Sequence, residues 1–167
     1  MTHSVFLSST FGDFESERSA LREAIPYAGI YVRCAESEGR DPLRSLVENL
    51  ENWIDKSEAV VLLVGLRYGS KSDDGESWTE KEVRYALRNK KKVFCYLRKH
   101  PEIGPRNIEV PLQRDDLVRF IKGQTTQFHR YNHGQIPSLI AMVIRDLDRW
   151  ARGLDLEAYR ESYNQGF

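Results

Sequence analysis

The chain has 167 residues, enough for one domain with a sizeable core. Its 25 basic and 25 acidic residues cancel, which argues against a nucleic-acid binder that works by phosphate neutralisation. No apolar run approaches the roughly 20 residues needed to span a bilayer.

Ser4-Val5-Phe6-Leu7-Ser8 reads as a first strand, stopped by the hydroxyl-rich loop Ser8-Ser9-Thr10-Phe11-Gly12. Asp13 can cap a helix that runs to about Ile25, with Phe14, Leu21 and Ile25 on its apolar side. Glu15 and Glu17 lie near its positive end. Ile30-Tyr31-Val32 begins a second strand that runs towards Cys34, Ala35 and Glu36. Asp41-Pro42 reads as the next helix start, with Leu43, Leu46, Val47, Leu50, Trp53 and Ile54 on one face.

Ala59-Val60-Val61-Leu62-Leu63-Val64 is an unbroken, β-branched apolar run, which suits a strand covered on both faces. A polar loop from Leu66 to Glu76 follows, then a helix from Ser77 to Leu87 and a strand from Lys92 to Leu97. Arg98 to Pro111 reads as a loop, and Asp115-Asp116 as the start of a short helix. Gln127 to Tyr131 alternates like a half-exposed edge strand. Ile136, Leu139, Ile140, Val143, Ile144, Leu147 and Trp150 mark a last amphipathic helix.

Strands alternating with helices imply right-handed crossovers and a three-layer α/β sandwich. The expectation is a flavodoxin-like sheet of about five mostly parallel strands with helices on both faces. Residues 1–153 form the domain, and residues 154–167 a C-terminal extension or linker. Cys34 and Cys95 read as buried free thiols in a reducing compartment, and polar Thr2-His3-Ser4 does not open a signal peptide. The expected location is the cytoplasm. His3, His100, His129 and His133 show no metal-ligand spacing, so no metal is expected.

In such sheets ligands bind beyond the C-terminal strand ends, and two loops there hold the candidates. Ser8-Ser9-Thr10 leads into a helix N-terminus and can hold phosphate or ribose hydroxyls, or simply close the turn. Ser77 and Glu80 have capping-box spacing, so the Glu80 carboxylate is expected to reach back to the Ser77 amide. Glu82 has no such local task. It can sit beside a bound sugar, or pair with a neighbouring base as an ordinary helix surface residue. Arg67 can pair with phosphate and Tyr68 can stack on a base, or the two can form a plain rim. Glu36 faces the cleft or is a solvated loop charge.

Val5-Phe6-Leu7-Ser8-Ser9-Thr10-Phe11-Gly12-Asp13, with Glu17-Arg18 after it, resembles the opening of an uncharacterised TIR-like domain family. That family is found at the N-terminus of NACHT and other STAND-type NTPases. Gly65-Leu66-Arg67-Tyr68-Gly69-Ser70 and Ser77-Trp78-Thr79-Glu80-Lys81-Glu82 match its later signatures. Cys34-Ala35-Glu36 stands at its Met-Glu pair, with a departure at the Met position. The family is similar in fold to TIR domains and nucleoside deoxyribosyltransferases. Trp78-x-x-x-Glu82 lines up with the TIR stretch Trp-Cys-x-x-Glu, with Thr79 replacing the Cys.

The resemblance implies cleavage of an N-glycosidic bond in NAD or a related nucleotide, with Glu82 as the catalytic carboxylate. Ser8, Ser9, Thr10 and Arg67 would hold phosphate or ribose, Tyr68 and Trp78 would line or cover the ring, and Glu36 would support them. No cofactor is implied beyond NAD as substrate. The expected partners are a nucleotide and further copies of the domain, or a fused oligomerising module. A non-catalytic TIR-like interaction module is the alternative, and a nucleoside deoxyribosyltransferase-like enzyme a further one.

Overall fold

The computed structural model describes residues 2–10, 14–99 and 111–154. Strands and helices alternate through β1 (Ser4–Ser9), α1 (Glu15–Tyr27), β2 (Tyr31–Arg33), α2 (Leu46–Asp55), β3 (Ala59–Val64), α3 (Trp78–Arg88), β4 (Lys92–Lys99), α4 (Leu112–Gln124), β5 (Phe128–Asn132) and α5 (Ile136–Ala151). The five strands form one parallel sheet in the order β2-β1-β3-β4-β5. This is the doubly wound, flavodoxin-like arrangement expected from the alternation.

The central strand has the predicted bounds, and all six of its residues are buried. A strand without alternation has no polar face to offer water, so both sheet faces must be covered. Two apolar clusters do this. One joins α1 and α5 to the sheet through Leu21, Ile25, Phe94, Leu139, Val143 and Leu147. The other joins α2, α3 and α4 through Trp53, Ile54, Val83, Ala86, Leu117 and Ile121. Cys34 and Cys95 are buried free thiols.

Four local expectations need correction. Helix α2 starts at Leu46, not after Asp41. Two N-cap signals compete here, and the reciprocal one wins. Ser45 accepts the Glu48 amide at 3.1 Å while Glu48 accepts the Ser45 amide at 2.7 Å, a complete capping box. The Asp41 carboxylate instead closes a short turn by accepting the Leu43 amide at 2.9 Å. Leu43 is therefore outside the helix and 93% exposed. Ser45→Ala should cost about 1 kcal/mol in urea unfolding; an unchanged midpoint would show that this cap contributes nothing.

The second strand is shorter than expected and stops at Arg33, so Glu36 lies on the turn that follows. Arg98, read as the start of a loop, belongs to β4 and is buried. Helix α4 begins at Leu112, earlier than Asp115. The expected Asp13 cap, the loop around Pro101 and Pro105, His100 and nearly all of the C-terminal extension lie outside the described residues.

Candidate active site

Chain direction splits at β1: one crossover leads out to β2 and the other elements lead through β3 to β4 and β5. The crevice between the C-terminal ends of β1 and β3 is thus the switch point where doubly wound folds bind ligands. Ser8 and Ser9 end β1, opposite Leu62 and Leu63 of β3. The loop from Gly65 to Ser77 then delivers α3 to the same place.

Four predicted residues meet there. Ser8, Ser9, Trp78 and Glu82 line a cavity of about 190 Å³, with Arg18, Ala35 and Leu50 among the other walls. The Ser8 hydroxyl donates a hydrogen bond to the Glu82 carboxylate. Thr79, standing where the resembled stretch has Cys, donates to the Ser9 carbonyl at 3.2 Å and ties α3 to the end of β1. Trp78 and Glu82 are one helical turn apart and so share a face. A neighbouring cavity of about 250 Å³ between α2 and α3 has Trp78, Glu82 and Leu50 in its wall as well.

Glu36 joins through a residue that sequence reasoning left without a site role. Arg18 is buried beneath the cavity. Its Nε donates to Glu36 Oε1 at 2.6 Å, and its Nη2 donates to Glu36 Oε2. Its Nη1 donates to Ser9 Oγ at 2.8 Å and to the Leu7 carbonyl at 3.4 Å. The pair Glu17-Arg18 stood in the family signature, which was the available signal for it.

The remaining predicted residues are elsewhere. Thr10 is buried, and its methyl group lies 3.2 Å from where a side chain on Gly69 would begin. Gly69 has φ +99°, and that close approach together with its backbone conformation requires glycine. Arg67 is exposed and is not among the residues lining either cavity. Tyr68 is buried and does not cover the cavity. Its hydroxyl donates to the Glu80 carboxylate and accepts the Ser77 amide at 3.2 Å. The expected capping box at α3 is therefore relayed. Ser77 accepts the Glu80 amide at 3.1 Å, but the Glu80 carboxylate reaches the Ser77 amide only through the Tyr68 hydroxyl. Burial and the Glu80 carboxylate both push the Tyr68 hydroxyl above the usual tyrosine range.

Electrostatics separate the two carboxylates of the site. Burial pushes Glu82 up to about 7, and the negative charge of Glu36 adds to that, against the Ser8 hydrogen bond and the Arg18 charge. Burial acts on Glu36 in the same direction, but the Arg18 fork outweighs it and holds Glu36 below the usual carboxylate range. Neighbouring acids pushed apart in this way mark sites of acid, base or charge-stabilising chemistry. Among the described residues no group of three or more His, Cys, Asp or Glu side chains is placed to hold a metal.

Glu82 also links stability to pH. An ordinary Glu titrates near 4.5, and folded Glu82 near 7, so the folded state binds its proton more tightly. The resulting destabilisation is absent below pH 4.5, grows between 4.5 and 7, and is complete above 7. Glu82→Gln keeps an acceptor for Ser8 and removes the charge. It should stabilise the domain by about 1–3 kcal/mol at pH 8, the half-buried setting keeping the gain below the full shift, and by nothing near pH 4. Unfolding midpoints at the two pH values check this; a gain independent of pH would contradict it.

Residues 4–147 match the family described as "Domain of unknown function (DUF4062)". The chain belongs to the DUF4062 family. No curated protein matches it. The DUF4062 domain is similar in fold to the TIR domains in the structure of the activated Roq1 resistosome directly recognizing the pathogen effector XopQ. The TM-score is 0.59 at 17% identity, over 87% of this chain and 99% of that one. It is similar to a chain of the RPS4 and RRS1 TIR domain heterodimer, with TM-score 0.56 at 18% identity over 88% of this chain and 96% of that one. A diflavin flavoprotein from Nostoc sp. aligns with TM-score 0.50 at 17% identity, over 90% and 92% of the two chains. At these identities the likeness is one of fold, and the fold of this DUF4062 domain is TIR-like. No helix among the described residues is long and apolar enough to cross a membrane.

Proposed function

We propose that this DUF4062 domain cleaves the N-glycosidic bond of NAD or a related nucleotide, as a clustered effector in immune or anti-phage signalling. The observation that supports this most is Glu82 in a cavity at the switch point, hydrogen-bonded by Ser8 beside the Arg18–Glu36 pair. Departure of a base from ribose leaves positive charge at the anomeric carbon and ring oxygen. A carboxylate there stabilises the oxocarbenium-like state or attacks it, as in glycosidases. Glu82 takes that role in its ionised form. Ser8 and Ser9 contact ribose hydroxyls, Trp78 covers the ring, and Arg67 meets the phosphates outside the cavity. The base leaves with the bond electrons and water takes its place on the sugar.

Clustering would come from self-assembly or from a fused NACHT or STAND-type NTPase. The TIR structures similar to this one are described as a resistosome and a heterodimer, which supports an assembled working state. The heterodimer also favours a second reading, a non-catalytic module that pairs with like domains.

NAD⁺ consumption by the purified chain at high concentration, with and without a crowding agent, tests the proposal. Release of nicotinamide is the expected result. No consumption by the folded protein would overturn the enzyme reading in favour of the module, and self-association would then be measured by sedimentation.

A further inference from the structure

Arg18, in the cavity wall, and Glu36, on the exposed turn after β2, are separated by 18 positions and meet beside the cavity. Four hydrogen bonds converge on the Arg18 guanidinium from three places: the Glu36 carboxylate, the Ser9 hydroxyl and the Leu7 carbonyl. Leu7 and Ser9 flank Ser8 in the strand, so a side chain gripping both neighbours fixes the direction in which Ser8 points. Adjacent strand residues face opposite sides of the sheet. Ser8 therefore stays on the α3 side, where its hydroxyl reaches Glu82. Arg is suited to this task because its fork is planar and pre-organised, whereas Lys is a single flexible point of charge.

We propose that Arg18 is a positioning residue: gripping Glu36, Ser9 and the Leu7 carbonyl at once, it locks the end of β1 so that Ser8 holds the Glu82 carboxylate. Glu36 is the anchor that orients the guanidinium, and it keeps the cation from drifting onto Glu82. The inference rests on the reading of Glu82 as the reactive carboxylate, but it also concerns geometry that exists without substrate. The charges acting on Glu82 are those of Arg18 from α1 and Glu36 from the turn after β2. Glu51 of α2, Glu76 of the preceding loop and Lys81, Arg84 and Arg88 of α3 face the neighbouring cavity.

The test uses the full chain with ¹³C-labelled glutamate, following the Glu82 carboxyl resonance through a pH titration, assigned by its loss in Glu82→Gln. Removing the cation with Arg18→Met should raise the Glu82 midpoint, making it a weaker acid by at least threefold. Removing the anion with Glu36→Gln should lower it by a similar factor. Arg18→Lys keeps the charge and loses the fork, so the midpoint should stay closer to the parent while kcat for NAD⁺ falls at least tenfold with little change in KM. An unmoved midpoint in both folded Arg18→Met and Glu36→Gln would overturn the proposal. If Arg18→Met does not fold, Glu36→Gln alone decides. A chain that consumes no NAD⁺ would remove the glycosidase reading; the positioning role would then stand only if Arg18→Lys, which keeps the charge, still raised the Glu82 midpoint through loss of the Ser8 hydrogen bond, and an unmoved midpoint in that variant would overturn it.

Discussion

Glu82→Ala is expected to lower NAD⁺ consumption by about 100- to 1,000-fold. The magnitude follows from what the carboxylate is asked to do. Removing a group aimed at charge that develops only in the transition state costs on the order of 100- to 1,000-fold. A factor of 1,000 corresponds to about 4 kcal/mol of transition-state stabilisation. Unfolding midpoints of both Glu82 variants, measured beside the parent, separate loss of chemistry from loss of fold. Glu82→Gln should be as inactive as Glu82→Ala, since an amide oxygen carries no compensating charge. Activity unchanged in either variant would place the chemistry elsewhere. Activity retained in Glu82→Gln alone would mean that hydrogen bonding to ribose, not charge, is the contribution of this residue.

Arg98→Met is expected to destabilise the domain by about 3–5 kcal/mol, a large share of the 5–15 kcal/mol that holds a typical domain folded. Arg98 and Glu17 are 7% and 4% exposed, and Arg98 Nη1 donates to Glu17 Oε1 at 2.9 Å. The guanidinium also lies over the Phe14 ring, 4.2 Å from its centre. With Arg98 gone, the Glu17 carboxylate keeps, among the described residues, only the Tyr131 hydroxyl at 3.5 Å, too little for a buried charge. Burial, with the charge of Glu17 added to it, holds the Tyr131 hydroxyl above the tyrosine range, so it stays a neutral donor and brings no positive charge to replace Arg98. The double variant Glu17→Leu with Arg98→Met should recover much of the loss, because the uncompensated charge disappears with its partner. Urea unfolding measures both. A loss under about 1 kcal/mol for the single variant would show that water reaches the pair and screens it.

These two carboxylates show where reading the chain stops. Glu17 was expected to act on the helix N-terminus, and Arg98 to open a loop. They are 81 positions apart, and only the sheet order puts β4 close enough to α1 for them to pair. Ser8 and Glu82, 74 positions apart, meet for the same reason. Tyr68 shows the opposite error. An aromatic after a strand reads as a ring to stack on a base, yet its hydroxyl is the missing link of the α3 cap.

What the sequence determined by itself was most of the element pattern, which depends on near neighbours, while several element ends were settled by competing local signals. An unbroken β-branched run has one low-energy use, a strand buried on both faces, and β3 has the expected ends. Apolar residues at helical spacing placed α5, and the Ser77–Glu80 spacing placed Ser77 as the α3 cap that accepts the Glu80 amide, while the return contact from Glu80 runs through Tyr68. The alternation of elements then left a doubly wound parallel sheet as the consistent topology. What only the tertiary structure decided was the fate of the charges. In the chain, Glu17, Arg18, Glu36 and Arg98 look like the solvated charges that most such residues are. Crossovers pair Glu17 with Arg98 and Arg18 with the exposed Glu36, and for the three buried ones leaving water is tolerable only in pairs with good hydrogen bonds. Burial and partner are properties of the assembled fold, and so is the cavity in which Glu82 sits.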